Sequence, residues 1–147
     1  MKKFLLFANL LLIVGGLFAQ TQTKGEQAAQ FKEMKYDFGK IKQGVPAVHV
    51  FAFTNISDAP ILIESTVASC GCTTPAKPEG AIPKGKSEKI TVSYNAGAVG
   101  LFSKTVTVKI AGYDQPVVLT ITGEVLNIES YTKYEAEKQK AGKTGSK

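Results

Sequence analysis

The chain has no arginine, a single histidine, His49, and two cysteines, Cys70 and Cys72. Each scarcity removes a class of function. Arginine is the usual reader of phosphates and guanine edges, and here all 18 basic residues are lysines. Two of these, Lys2 and Lys3, stand at the amino end, and Lys133, Lys138, Lys140, Lys143 and Lys147 crowd the carboxyl end beside Glu135 and Glu137. The formal charge of +6 therefore leaves the middle of the chain nearly neutral, without the basic stripe of a nucleic-acid binder. A single histidine offers one candidate base for a cysteine or serine nucleophile. The carboxylates Asp37, Asp58, Glu64, Glu79, Glu88 and Asp114 are scattered over turns and solvated strand faces, with no pair placed for acid and base roles. No enzymatic activity is expected. Two cysteines also fall short of the paired sets that mark a zinc finger. The terminal "GKTGSK", Gly142 to Lys147, is only superficially a phosphate loop, since no strand leads into it and no helix follows.

What the chain does have begins with "MKKFLLFANLLLIVGGLFAQTQ": two lysines, an apolar run from Phe4 to Phe18, and the small residue Ala19 before a polar stretch. This is the layout of a secretory signal peptide over residues 1–19, with cleavage after Ala19. A retained anchor is the alternative, the run being slightly shorter than the roughly 20 apolar residues of a usual span. After cleavage no stable membrane span is expected, and the protein is placed in the periplasm or outside the cell. Residues 20–30 read as a polar leader, residues 31–127 as one domain, and residues 128–147 as a lysine-rich solvated tail with a frayed helix as the lesser alternative.

The domain is read as all-β because apolar residues alternate with period two. In "AVHVFAFTN" Phe51 and Phe53 share one face, with Val50, Ala52 and Thr54 on the other. In "PILIESTVAS" Ile61, Ile63, Ser65 and Val67 are expected on one side. Ile90, Val92 and Tyr94 alternate with Thr91 and Ser93; Phe102, Lys104, Val106, Val108 and Ile110 alternate with Ser103, Thr105, Thr107 and Lys109; and Val117, Leu119 and Ile121 alternate with Val118, Thr120 and Thr122. Asn55 to Pro60 and the "PKGK" stretch read as turns. About seven short strands at this spacing predict an immunoglobulin-like β-sandwich, with a small β-barrel as the alternative.

The segments "YDFGKIKQG", "HVFAFTNISDAPILI", "SCGCTTP", "ITVSYNAGAVGLFSKTVTVKI" and "LTITGEV" together resemble the bacterial domain of unknown function numbered fifteen seventy-three. The resemblance spans residues 35–125, and its most specific element is Ser69-Cys70-Gly71-Cys72-Thr73. It implies a sandwich of the major-sperm-protein and PapD type in an exported bacterial protein, with no established enzymatic activity.

The residues themselves leave four readings of the cysteines. They are small buried residues kept reduced; a bridge between neighbours that a kink at Gly71 would permit, closing a tiny loop and easily reduced; a metal site; or an intermolecular bridge. Two thiolates suit Cu(I) or Zn(II), and the candidate set is Cys70, Cys72 and His49. His49 otherwise reads as the end of a core-facing row. The leading functional expectation is a noncatalytic interaction or scaffold module of the cell envelope whose partner is an envelope or secreted protein. The alternative is a thiol-redox or metal-binding protein acting through Cys70-Gly71-Cys72.

Overall fold

A computed structural model describes residues 23–144; the expected signal peptide lies outside the described residues. Nine strands follow a single 3-10 turn, Gly25–Gln27: β1 (Ala29–Phe31), β2 (Lys35–Lys42), β3 (Ala47–Asn55), β4 (Ile61–Ala68), β5 (Thr73–Ala76), β6 (Ala81–Ile82), β7 (Ser87–Tyr94), β8 (Gly100–Ile110) and β9 (Val117–Leu126). A terminal helix, α1 (Ile128–Thr144), closes the order. The strands form two sheets, one ordered β1-β3-β7-β5 and the other β2-β9-β8-β4-β6. All pairings are antiparallel except β2 with β9. The protein is an immunoglobulin-like β-sandwich.

The alternation along each strand decides which side chains enter the space between the sheets. Phe51 and Phe53 of β3, Ile90 and Val92 of β7, Val106, Val108 and Ile110 of β8, and Val117, Leu119 and Ile121 of β9 are all buried there. Each contributes about 1.5–3 kcal/mol by leaving water. Only two polar residues are buried among those described, Asn55 and Thr73.

Three expectations are corrected by the structure. Ile61 and Ile63 do face the core, but a register shift between Ile63 and Ser65 turns β4 over. Ser65 then pairs with Lys109 and Val67 with Thr107 on the outside, leaving Val67 60% exposed. A bulge adds one residue to a strand and so exchanges its two faces beyond that point. Residues Ile128–Thr144 form a helix, the lesser of the two alternatives for this stretch, and the helix remains largely exposed. Asn127 starts it, its Oδ1 accepting from the Ser130 amide at 2.8 Å. Tyr131 and Tyr134, one turn apart, place rings 6.2 Å from each other, and Lys40 sits over the Tyr134 ring at 5.1 Å. The helix packs on β2 and β9. Thirdly, the leader is built into the domain from Thr23 onward. The Gly25 amide donates to the Gln115 carbonyl at 2.8 Å, the Thr23 hydroxyl meets Asp114 Oδ2 at 3.1 Å, and Ala28 and Ala29 are fully enclosed. Among the described residues no helix is long and apolar enough to cross a membrane.

Candidate functional site: the cysteine turn and the uncharged sheet face

The chain leaves β4 at Ala68 and re-enters the opposite sheet at Thr73, so the sequence between them must cross from one layer to the other. It does so through a turn closed by the Thr73 amide donating to the Cys70 carbonyl at 3.2 Å. Cys70 and Cys72 are joined by a disulfide across this turn, with Cα atoms 5.3 Å apart. Both are half-buried, and Cys72 packs against the core. Gly71 between them is exposed and does not have a positive φ. A Cβ at this position would meet nothing within 4 Å. The bridge therefore forms without the special backbone angles expected of this glycine, and the peptide between the sulfurs is open to solvent.

Thr73 lies under the bridge. Its side chain is buried, and its Oγ1 is 3.7 Å from Cys70 Sγ and 3.9 Å from Cys72 Sγ. Among the described residues these sulfurs are the only side-chain partners of the hydroxyl. The sequence marks Thr73 as the last residue of the Ser-Cys-Gly-Cys-Thr element but gives it no role; the available signal was its position as the first inward-facing residue of a strand directly after the pair.

The structure does not bring His49 to the cysteines. Its row partner is Val92 in β7, which in turn pairs with Pro75 in β5, so His49 lies about 10 Å, two strand spacings, from the edge strand that follows the bridge. Its Nε2 donates to Glu33 Oε1 at 2.9 Å, and its ring stacks on Tyr36 at 3.5 Å and meets Phe51 edge-on. The proposed set of Cys70, Cys72 and His49 thus divides into a bridged pair and a separate aromatic cluster. Among the described residues no group of three or more His, Cys, Asp or Glu is placed to hold a metal ion.

Beside the cysteine turn lies the outer face of the β1-β3-β7-β5 sheet. The registers place Val48, Ser93 and Thr74 in one row and Val50, Thr91 and Ala76 in the next, followed by Ala52 with Lys89. Seven of these eight positions carry no charge. Val48 is 56% and Val50 43% exposed, and α1 packs on the other sheet. Alternation puts Val50 and Ala52 opposite Phe51 and Phe53 in the sequence; what the sequence did not reveal is that, among the described residues, Val48 and Val50 stay exposed.

The sheet edges are guarded. The Cys72 carbonyl accepts from the Asn95 amide at 3.0 Å, so by alternation Thr73 and Pro75 turn their backbone groups away from β7. The Thr73 amide is used by the turn, and proline has none to offer. β1 and β6 have three and two residues, and β2 carries Lys35, Asp37, Lys40 and Lys42 together with a register shift between Asp37 and Lys40. Short, charged and irregular edges discourage added strands. A separate open groove of about 640 Å³ lies on the second sheet around Gly123 and Phe102, between Leu101 and Lys40. At the β3–β4 turn, the Lys84 ammonium hydrogen-bonds Asp58 at 2.6 Å and, by this bond and its charge, holds the carboxyl below its ordinary pKa.

No curated protein matches the chain. Several solved structures resemble it in fold. The ASH/PapD-like domain 7 of human CEP192 aligns with a TM-score of 0.59 at 9% identity, over 74% of this chain and 92% of that one. A protein of unknown function from Porphyromonas gingivalis W83 aligns with a TM-score of 0.56 at 11% identity, over 66% and 46%. The secreted serine protease VesC from Vibrio cholerae aligns with a TM-score of 0.54 at 19% identity, over 69% of this chain but only 24% of the protease. The chain thus spans less than half of the latter two proteins, and at these identities the likeness is one of fold. The family described as protein of unknown function DUF1573 matches residues 29–125, the whole of the sandwich from β1 almost to the end of β9, and the chain belongs to that family.

Proposed function

We propose that the protein is an exported, noncatalytic interaction module of the cell envelope that holds an envelope or secreted partner protein against the outer face of the β1-β3-β7-β5 sheet. The observation that carries this reading is the exposure of Val48 and Val50 in two adjacent rows, Val48-Ser93-Thr74 and Val50-Thr91-Ala76, that hold no charge. Apolar side chains gathered on an uncovered face favour a protein partner, while guarded edges favour contact through the face over strand addition. Export rests on the amino-terminal layout of charged, apolar and small residues. The noncatalytic reading is supported by the engagement of His49 with Glu33 and Tyr36 rather than with a serine or cysteine.

The test is a charge placed on the face. Val48→Lys with Val50→Lys alters only exposed positions, so the unfolding free energy should change by no more than about 1 kcal/mol. The partner that co-purifies with the wild-type protein from the envelope or secreted fraction should be lost, while Thr107→Lys on the outer face of the other sheet should retain it. Retention by the double variant would remove this face from the function.

A further inference from the structure

The Cys70–Cys72 bridge is a poor structural staple. It closes the shortest of loops, so it constrains the unfolded chain little, and the same turn is already closed by the Thr73 amide on the Cys70 carbonyl. Yet a buried hydroxyl is aimed at it. A disulfide sulfur is a weak acceptor, whereas a thiolate takes a strong, charge-assisted hydrogen bond. Thr73 Oγ1, within 4 Å of both sulfurs, therefore gains most when the bridge opens. From this geometry and the uncovered peptide at Gly71, we propose that Cys70 and Cys72 form a reversible disulfide site that exchanges two electrons with a protein or small-molecule dithiol, with Thr73 stabilising the thiolate that is released. This inference stands independently of the sheet-face reading.

One thiolate of the dithiol attacks Cys70 Sγ, Cys72 being the partner packed against the core. The bond to Cys72 breaks, a mixed disulfide forms at Cys70, and the electron pair leaves on Cys72 Sγ, which receives the Thr73 hydrogen bond and later a proton from water. The second thiolate of the dithiol then attacks its own sulfur in the mixed disulfide and expels Cys70 as a thiolate. The dithiol ends as a disulfide and the protein as two thiols. In the reverse direction the reduced pair passes its electrons to a disulfide of the same class. Thr73 is a positioning residue here, acting on the leaving sulfur.

The experiment is a redox titration of the folded protein in dithiothreitol mixed with its oxidised form at fixed pH, with thiols trapped by alkylation and counted by mass. The wild type should pass from no alkylated thiol to two while its cooperative unfolding transition persists. In a time course of opening by dithiothreitol, followed with the same trapping, Thr73→Val should slow opening by about tenfold, the loss expected for one charge-assisted hydrogen bond, and Thr73→Ser should restore the rate. A bridge that opens only once the protein is unfolded would overturn the proposal. So would a folded Thr73→Val variant that opens at the wild-type rate. The wild-type titration decides the exchange itself should that variant fail to fold.

Discussion

Replacing Asn55 by leucine should lower the unfolding free energy by about 4 kcal/mol, because the substitution removes one buried and three part-buried hydrogen bonds while keeping the volume. Asn55 ends β3 fully enclosed. Its Nδ2 donates to the carbonyls of Ala59 at 2.9 Å and Ile82 at 2.8 Å, and its Oδ1 accepts from the amide and hydroxyl of Ser57. Its own backbone amide and carbonyl bond to Lys86 and Gly85. One side chain thereby ties the β3–β4 turn to β6, while its backbone holds the turn that follows. Leucine would fill the space but leave the Ile82 carbonyl without its Asn55 donor, at a cost of about 1–3 kcal/mol for each buried group so stranded. Urea denaturation of Asn55→Leu beside Ser57→Ala would check it. The serine hydroxyl makes only exposed or part-buried bonds, so its loss should cost about 1 kcal/mol or less. A similarly small loss for Asn55→Leu would show that water takes over these bonds.

Gly123→Ala is the second change with a large expected effect, about 2–3 kcal/mol of destabilisation from overpacking. A Cβ at this position in β9 would stand 2.8 Å from Cε1 and Cζ of Phe102 and 2.9 Å from the Gly39 carbonyl oxygen. The Phe102 ring is stacked on Tyr94 at 4.1 Å and lies beside Phe38, so moving it aside would cost that stacking. The Gly39 carbonyl belongs to the irregular stretch of β2, so the backbone would also have to shift. Phe102→Leu in the Gly123→Ala background should return part of the loss, giving a coupling of about 1 kcal/mol in a thermal or urea double-mutant cycle. Strict additivity of the two changes would place the conflict with Gly39 alone.

Both positions show where the sequence speaks and where it does not. The two-residue period that sorts Phe51 from Val50 and Val106 from Thr107 is local, and it is enough to give the sandwich and most of its core. A turn asparagine is also legible at Asn55, but its partners at Ile82 and Lys86 are nearly thirty residues away, and no local pattern announces a bond across that distance. The bulge after Ile63 leaves no mark in composition, so Val67 reads as inward although the added residue sends it outward. The terminal helix was hidden for a different reason. Its contacts include the Tyr131–Tyr134 ring pair and Lys40 over the Tyr134 ring, which leave no apolar stripe in the sequence, and the Asn127 cap is a single residue. At the candidate site the adjacency of the cysteines is plain from the sequence. Their pairing is settled by the shape of a layer-crossing turn, and the role of Thr73 by burial.

The proposed seat of the partner is the outer face of the β1-β3-β7-β5 sheet. Its most direct test is to place a photo-crosslinking residue at position 50, and in a second variant at position 107, and to irradiate each protein in its native compartment. A partner adduct formed from position 50 and absent from position 107 is the expected result. An adduct formed from position 107 alone would put the partner on the opposite sheet and contradict the account.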